Sequence, residues 1–342
     1  MTQNKWTWQL PFLLFLCVAT VFVIRRHAPA GSLARPVGYQ HSEGNVFGTV
    51  WHATYQCDSS LRHSIVRELR RVDASLSMFN PKSCISRINR GEDVPADSMI
   101  GELFLQAGAI SQATDGAFDI TVAPLVNAWG FGIRHDSLPD SSTVDSLRTL
   151  VGWQRVKLRD GRIVKDDSRM VFDFSAIAKG YGADCVARLL ASRGIRNYMI
   201  EIGGEIVCHG TNAEGEPWRI GINKPTAEND ATAPELQAIL RFTDCAMATS
   251  GNYRNYFVRD GVRYAHTIDP RTGYPVQRSI VSSTVLAPTC AMADGFATAF
   301  MVMGIEGALR TLRTHPELKA YLIYVDDTGE MQTWHSEGLD IE

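Results

Sequence analysis

Apolar residues recur along this chain at spacings that distinguish helices from strands. Between residues 59 and 78 they return every three or four positions, which predicts an amphipathic helix. The apolar positions of that helix are Leu61, Ile65, Leu69, Val72 and Leu76. Further helices are predicted at residues 97–114, 143–151, 179–193, 290–303 and 305–314.

Shorter apolar runs, bounded by turn-forming residues, predict strands. Two pairs of such runs surround the dipeptides Asp160-Gly161 and Asp260-Gly261, which are typical of tight hairpins. The polar residues 209–235 predict a long surface segment. Because hairpins are frequent and regular βαβ alternation is absent from the pattern, we predict an α+β fold with a largely antiparallel sheet and flanking helices. Other strands are predicted at residues 46–55, 198–208, 237–248 and 281–287, with two more closing the chain.

The beginning of the chain has a different character. Residues 6–24 are almost uncharged and long enough to cross a bilayer. One lysine precedes this segment and two arginines follow it, whereas a secretory signal usually carries its charge before the apolar core. We therefore predict an uncleaved membrane anchor in residues 1–30, a linker at 31–43 and a single domain at 44–342. Cleavage of the segment and lipidation at Cys17 are the alternatives.

The bulk composition excludes some classes of function. The chain has 342 residues, of which 45% are hydrophobic and 21% charged, as in an ordinary globular protein. Its net charge of -3 gives no electrostatic footprint for nucleic acid, so no nucleic-acid partner is expected. The seven cysteines have no C-x-x-C or zinc-binding spacing, and most are expected to be small buried residues. Nothing in the sequence indicates an oligomeric state.

The most informative segment, residues 173–184, lies where an apolar run gives way to a predicted helix. It carries Asp173, Lys179 and several closely spaced small residues. Free backbone N–H groups and the helix dipole favour anions at the start of a helix. A lysine there opposes the dipole unless an anion is bound, so Lys179 is a candidate anion ligand. A solvated lysine and a turn-forming aspartate would explain the same pattern.

Two further segments offer proton transfer and cation binding. His266 is predicted to end a strand, before a turn that Pro270 imposes, and a histidine can act as a general base near neutral pH. Asp269 could orient His266 or shape the turn. Asp294 and Thr298 are four residues apart in a predicted helix, so their oxygens share one face and suit a hard cation. A structural histidine and a surface aspartate are the alternatives.

Together these segments resemble the ApbE family, the FAD:protein FMN transferases, and the resemblance extends from about Phe47 to Trp334. The motifs that carry it are residues 173–184, 266–273 and 293–298. The resemblance implies that Mg²⁺ is bound by Asp294, Thr298 and the carbonyl of Ala176. It implies contacts to FAD from Phe47, Ala117, Phe118, Asp119, Asp173, Lys179 and Ile268.

Two positions deserve comparison with the family pattern. Many relatives carry an acidic residue where this chain has Ala297, so one possible oxygen ligand for the cation is missing. Gly203-Gly204-Glu205 resembles a glycine pair followed by an acidic residue in the family. Such glycines allow a close approach of backbone, although a simple β-bulge would use the same pair.

The resemblance also implies a reaction and a cellular setting. FMN would pass from FAD to a threonine hydroxyl of an acceptor protein, with release of AMP, while His266 takes the proton and Lys179 counters phosphate charge. Family acceptors are redox subunits such as those of sodium-pumping quinone reductase and Rnf-type complexes. This implies a protein of the inner membrane with its catalytic domain in the periplasm. Hydrolysis of FAD and flavin binding without catalysis are the two alternatives.

Overall fold

The protein is described by a computed structural model that covers residues 37–132, 138–225, 235–252, 256–259, 262–277 and 279–342. The predicted anchor in residues 1–30 lies outside the described residues. Tyr39–Glu342 form one compact unit.

The described chain contains fifteen strands. They are β1 (Tyr39–Val46), β2 (Thr49–Gln56), β3 (Val156–Arg159), β4 (Arg162–Lys165), β5 (Tyr198–Ile202), β6 (Glu205–His209), β7 (Trp218–Asn223), β8 (Leu236–Phe242), β9 (Cys245–Gly251), β10 (Tyr256–Arg259), β11 (Val262–Ala265), β12 (Ile280–Ala287), β13 (Lys319–Val325), β14 (Met331–His335) and β15 (Asp340–Ile341). Eight of them form a sheet in the order β1-β2-β5-β6-β9-β12-β13-β14. All neighbours in this sheet pair antiparallel, so the predicted class, α+β with a largely antiparallel sheet, is confirmed.

Seven α-helices accompany the strands in the described part of the chain. They are α1 (Arg62–Leu76), α2 (Cys84–Asn89), α3 (Ser98–Ala113), α4 (Ala123–Ala128), α5 (Ser141–Arg148), α6 (Ser175–Ser192) and α7 (Cys290–Thr314). The helical backbone of α7 breaks at Gly304, where φ is 71° and ψ is 178°. This break confirms the prediction of two successive helices, which placed the boundary at the same residue.

Helices α6 and α7 pack closely at the centre of the molecule. A Cβ atom on Gly180 of α6 would lie 2.3 Å from the carbonyl oxygen of Cys290, so only glycine permits this approach. Among the described residues, α7 is the one helix long and apolar enough to cross a membrane, but 67% of that stretch is buried inside the protein. It is therefore the core helix of the domain.

Tight turns account for most differences from the predicted strands. The predicted strand 46–55 corresponds to β2 from residue 49 onwards, but its start is the turn of a hairpin with β1, at Phe47 and Gly48 with φ values of 50° and 74°. Residues 39–43, predicted as linker, belong to β1. This strand lies at the edge of the sheet and carries mostly polar residues, so its sequence lacks the apolar alternation of a half-buried strand.

Other differences have the same origin. The predicted strand 198–208 is the hairpin β5–β6, and Gly203 and Gly204 form its turn with φ values of 60° and 100°, rather than a bulge. The predicted strand 237–248 divides into β8 and β9 at another tight turn. The polar segment 209–235 contains β7, which pairs with β8 in a separate three-stranded sheet with β15.

Candidate active site

A cleft of about 790 Å³ lies where α6, α7, the β5–β6 turn and the segment around His266 meet. Phe47 and Asp269 are not among its lining residues. Ten of the twelve predicted site residues line it, namely Ala117, Phe118, Asp119, Asp173, Ala176, Lys179, His266, Ile268, Asp294 and Thr298. The fold thus brings together residues that lie up to about 180 positions apart in the chain.

The floor of the cleft is built from one lysine and two carboxylates. Lys179 is predicted to be the first residue of its helix, but α6 begins four residues earlier at Ser175. Its Nζ donates a hydrogen bond to Glu205 Oε1 in an ion pair, and the side chain of Glu205 is only 3% exposed. Asp294 is buried beside them and its Oδ2 accepts a hydrogen bond from Gly180 N at 3.2 Å.

The pKa values in the floor reflect this arrangement. Burial raises the pKa of the Asp294 carboxyl, although the charge of Lys179 opposes the shift. Burial likewise raises the pKa of Glu205, with Lys179 again opposing it and Asp294 adding to it. Burial disfavours the charge on Lys179, yet the two carboxylates outweigh it and hold the pKa of the lysine above its ordinary value. The lysine is therefore a fixed cation between two competing acids.

Two other acids of the cleft already have polar partners. Asp119 accepts hydrogen bonds from Thr121 N at 2.8 Å, Thr121 Oγ1 at 2.6 Å and Trp153 N at 2.9 Å. Asp173 Oδ1 accepts one from Ser175 N at 2.7 Å and so stabilises the turn that leads into α6. These carboxylates hold local backbone in place, which fits the turn-forming alternative for Asp173.

The oxygen atoms of the floor fit a hard cation. Glu205 Oε2 is buried and has no hydrogen-bond partner among the described residues. Thr298 Oγ1 lies 3.2 Å from Ser250 Oγ, and both residues line the cleft. The N–H of Gly180 donates to Asp294 Oδ2. Regular helix geometry directs the same N–H at the carbonyl of Ala176, four residues earlier, so the Asp294 carboxylate and the Ala176 carbonyl both lie near it.

A cation here would depend on more than side-chain acids. In the described part of the chain, no three His, Cys, Asp or Glu side chains form a group that could hold a metal. Hydroxyl and carbonyl oxygens would have to complete the coordination, as is usual for Mg²⁺, which keeps several water or substrate ligands. Ala297 is fully buried in the main apolar core and contributes no oxygen from its side chain.

His266 lies just after β11 on one wall of the cleft and is half-buried. Its ring stands edge-on to Phe131, with 6.4 Å between ring centroids. Asp269 is turned away from the cleft, and its carboxylate accepts from Arg271 N, Nε and Nη2, each at 2.9 Å. Its backbone carbonyl accepts from Gly273 N at 2.8 Å. These contacts favour the turn-shaping alternative for Asp269 over the orientation of His266.

Phe47 supports the site from behind. It occupies the β1–β2 turn, and a Cβ on Gly182 of α6 would lie 2.8 Å from its ring. The phenyl ring therefore packs against the backbone of α6, the helix that carries Lys179. The contact of Phe47 with the flavin or adenine ring, which the resemblance implies, stays a prediction.

The rim of the cleft includes an aromatic residue that sequence reasoning missed. Phe79, in the connection between α1 and α2, lines the cleft while 69% of its surface is exposed. Exposed aromatic residues beside a cleft are typical of sites that stack on planar ligands. The sequence pattern offered only a weak signal, because Phe79 stands next to Asn80-Pro81 in a turn without apolar periodicity.

The ApbE family matches residues 47–322, a range that includes all twelve predicted site residues. The chain belongs to the ApbE family. It is 38% identical over 304 residues to the FAD:protein FMN transferase of Vibrio cholerae, covering 86% of this chain and 90% of the relative. The FAD:protein FMN transferase of Salmonella typhimurium is 34% identical over 344 residues and is covered to 96%.

Solved ApbE structures share this fold. The flavin transferase ApbE from Vibrio cholerae superimposes with a TM-score of 0.79 at 35% identity, covering 88% of this chain and 98% of that one. The apo flavinyl transferase ApbE from Pseudomonas stutzeri gives a TM-score of 0.77 at 31% identity. The antiparallel α+β domain is therefore an ApbE domain.

Proposed function

We propose that this protein is an FAD:protein FMN transferase, which moves FMN from FAD to a threonine hydroxyl of an acceptor protein and releases AMP. The observation that carries the proposal is the buried floor of Lys179, Glu205 and Asp294 in a cleft with an aromatic rim. A charged floor can hold the pyrophosphate of FAD through a cation, while the rim takes a flat ring. The names of the relatives agree with this assignment.

The charge of the floor supports a requirement for Mg²⁺. Two carboxyl groups share one ammonium group in the floor, so the floor has no excess positive charge for a pyrophosphate and a divalent cation would supply it. Asp294, Thr298 and the Ala176 carbonyl would hold the ion, and Glu205 lies beside them. When bound, Mg²⁺ supplies charge neutralisation on the phosphate oxygens.

The protein's own residues would position the reacting groups. Lys179, fixed by Glu205, would counter charge on the phosphates. His266 would accept the proton of the threonine hydroxyl while the threonine oxygen forms a bond to the FMN phosphorus. The bond between that phosphorus and the oxygen of the AMP half breaks, and AMP leaves. The proton that His266 takes up then passes to solvent or to the phosphate of the leaving AMP.

The N-terminal segment and the acceptor define the proposed setting. The apolar stretch at residues 6–24 would anchor the protein in the inner membrane, with the catalytic domain in the periplasm. The acceptor would be a redox subunit of the quinone-reductase or Rnf type with an exposed threonine. An anchored enzyme meets membrane-bound acceptors at high effective concentration, which supports this combination.

One reaction mixture tests the proposal. The protein is incubated with FAD, Mg²⁺ and a flavin subunit that carries the acceptor threonine. We expect covalent flavin fluorescence on the acceptor in a denaturing gel, together with stoichiometric AMP. AMP without labelled acceptor would instead support FAD hydrolysis, and neither product would support flavin binding alone. An acceptor with threonine replaced by alanine is the matched control.

A further inference from the structure

Glu205 combines burial, an ion pair and an unsatisfied oxygen in the cleft floor. It is the first residue of β6, directly after the Gly203-Gly204 turn. Its side chain is 3% exposed and its Oε1 accepts from Lys179 Nζ. Its Oε2 has no hydrogen-bond partner among the described residues, although the residue lines the cleft.

A buried carboxylate oxygen without a partner is costly, and native proteins rarely retain one without a reason. Lys179 already serves two acids, because Asp294 is also buried beside it. The one ammonium group is shared by two acids, and the spare Glu205 oxygen has no positively charged or hydrogen-bonding partner among the described residues.

We propose that Glu205 is a ligand of the divalent cation and supplies a second carboxylate beside Asp294. This inference rests on the cation site of the proposed function. Mg²⁺ is commonly held by one or two carboxylates together with substrate phosphates, so a pair of acids is sufficient. Ala297, three residues after Asp294 on α7, offers only a buried methyl group, whereas Glu205 lines the cleft together with Asp294.

The test measures binding of Mn²⁺ alone to the complete protein, without FAD or acceptor. Glu205→Gln keeps the size of the side chain and an oxygen that accepts from Lys179, but removes the charge. We expect Mn²⁺ affinity, read from the electron paramagnetic resonance of free Mn²⁺, to fall by at least about 10-fold, since loss of even an outer-shell partner costs about 10- to 100-fold. Glu201→Gln, a half-buried site on β5 outside the cleft, should bind Mn²⁺ as the unchanged protein does.

Two outcomes would overturn the proposal. If Glu205→Gln binds Mn²⁺ within about twofold of the unchanged protein while Asp294→Asn loses it, Glu205 only positions Lys179. If neither variant loses affinity, the cation site of the proposed function is itself misplaced. If Glu205→Gln does not fold, Glu205→Asp tests the same point, because it keeps the charge but withdraws it by one methylene. It should also weaken Mn²⁺ binding, and unchanged affinity would contradict the assignment.

Discussion

Two carboxylates connect α6 and α7 in opposite directions, and their surroundings differ. Asp184 on α6 accepts hydrogen bonds from Cys290 N at 2.8 Å and Ala291 N at 2.9 Å, at the start of α7. Asp294 on α7 accepts one longer bond from Gly180 N of α6, at 3.2 Å. Asp184 therefore uses both oxygens on the end of a helix, whereas Asp294 faces the cleft with capacity to spare.

The difference separates acids whose two oxygens both accept hydrogen bonds from acids that engage only one. An acid of the first kind stabilises backbone and has fewer lone pairs left for a ligand than one of the second kind. Asp119 and Asp269 belong with Asp184, because backbone and side-chain donors occupy both of their oxygens. Glu205 belongs with Asp294, since one of its oxygens has no partner in the described structure.

The largest expected effect is at Asp294. Asp294→Ala should abolish measurable flavin transfer and weaken FAD binding, because the pyrophosphate loses the ligand of its counter-ion. The loss of one electrostatic stabiliser already costs about 10²–10³ in rate, so a decrease beyond 10³-fold is expected. Acceptor labelling measures transfer, and flavin fluorescence measures FAD affinity. Normal turnover in this variant would remove the distinction between the two aspartates.

A second large effect is expected at His266. His266→Ala should slow flavin transfer by about 10²–10⁴-fold, the usual contribution of a general base. FAD affinity should stay close to normal, because Lys179 and the cation hold the phosphates. Poor FAD binding with a normal rate at saturation would show that His266 binds the cofactor instead. His315→Ala, on a histidine just after α7 and outside the cleft, is the control.

The Asp184 carboxyl should contribute to the free energy of unfolding, and that contribution should depend on pH. Burial raises the pKa of its carboxyl from 3.8 to about 6, so the folded protein holds a proton between these values that the unfolded chain releases. From this group alone, the free energy of unfolding rises as the pH falls from 7 to 4, by up to about 3 kcal/mol. Asp184→Asn should remove that contribution, as measured by urea unfolding at both pH values.

The control for this measurement is Asp327→Asn, which changes an exposed aspartate. Its pH dependence of stability should match that of the unchanged protein. If the Asp184 contribution has the opposite sign, the two N–H donors outweigh burial and hold the carboxylate ionised. Asp184 would then be a stronger helix cap than its burial indicates.

Comparison of sequence and structure shows what local patterns convey in this fold. Apolar spacing located α1 and α3, because each of these helices buries one face. The predicted boundary between two helices at Gly304 coincides with the break in α7. Apolar spacing missed β1, an edge strand of mostly polar residues, and β7, a six-residue strand inside a long polar segment. In the sequence, a tight turn such as Gly203-Gly204 resembles an interruption within a single strand, because only the antiparallel pairing of β5 with β6 shows that the segment is a hairpin.

The candidate site shows the same limit. The motifs named Lys179, Asp294 and His266, but spacing along the chain could not show which acids have spare oxygens. Glu205 became a candidate ligand only when the β5–β6 turn placed it against Lys179, 26 residues earlier in the chain. Asp269 was grouped with His266 by proximity in sequence, whereas its carboxylate bonds Arg271.

The smallest effect is expected at the rim, where Phe79 contrasts with the charged floor. Phe79→Ala should weaken FAD binding by roughly fivefold, since an aromatic contact contributes about 1 kcal/mol. The transfer rate at saturating FAD should hardly change, because Phe79 has no charged or proton-transferring group to offer the reacting phosphate. Leu105→Ala removes a similarly exposed apolar side chain from α3, outside the cleft, and should leave FAD affinity unchanged. If Phe79→Ala instead slows transfer at saturation, the rim also aligns FAD for reaction, and the division between a binding rim and a catalytic floor does not hold.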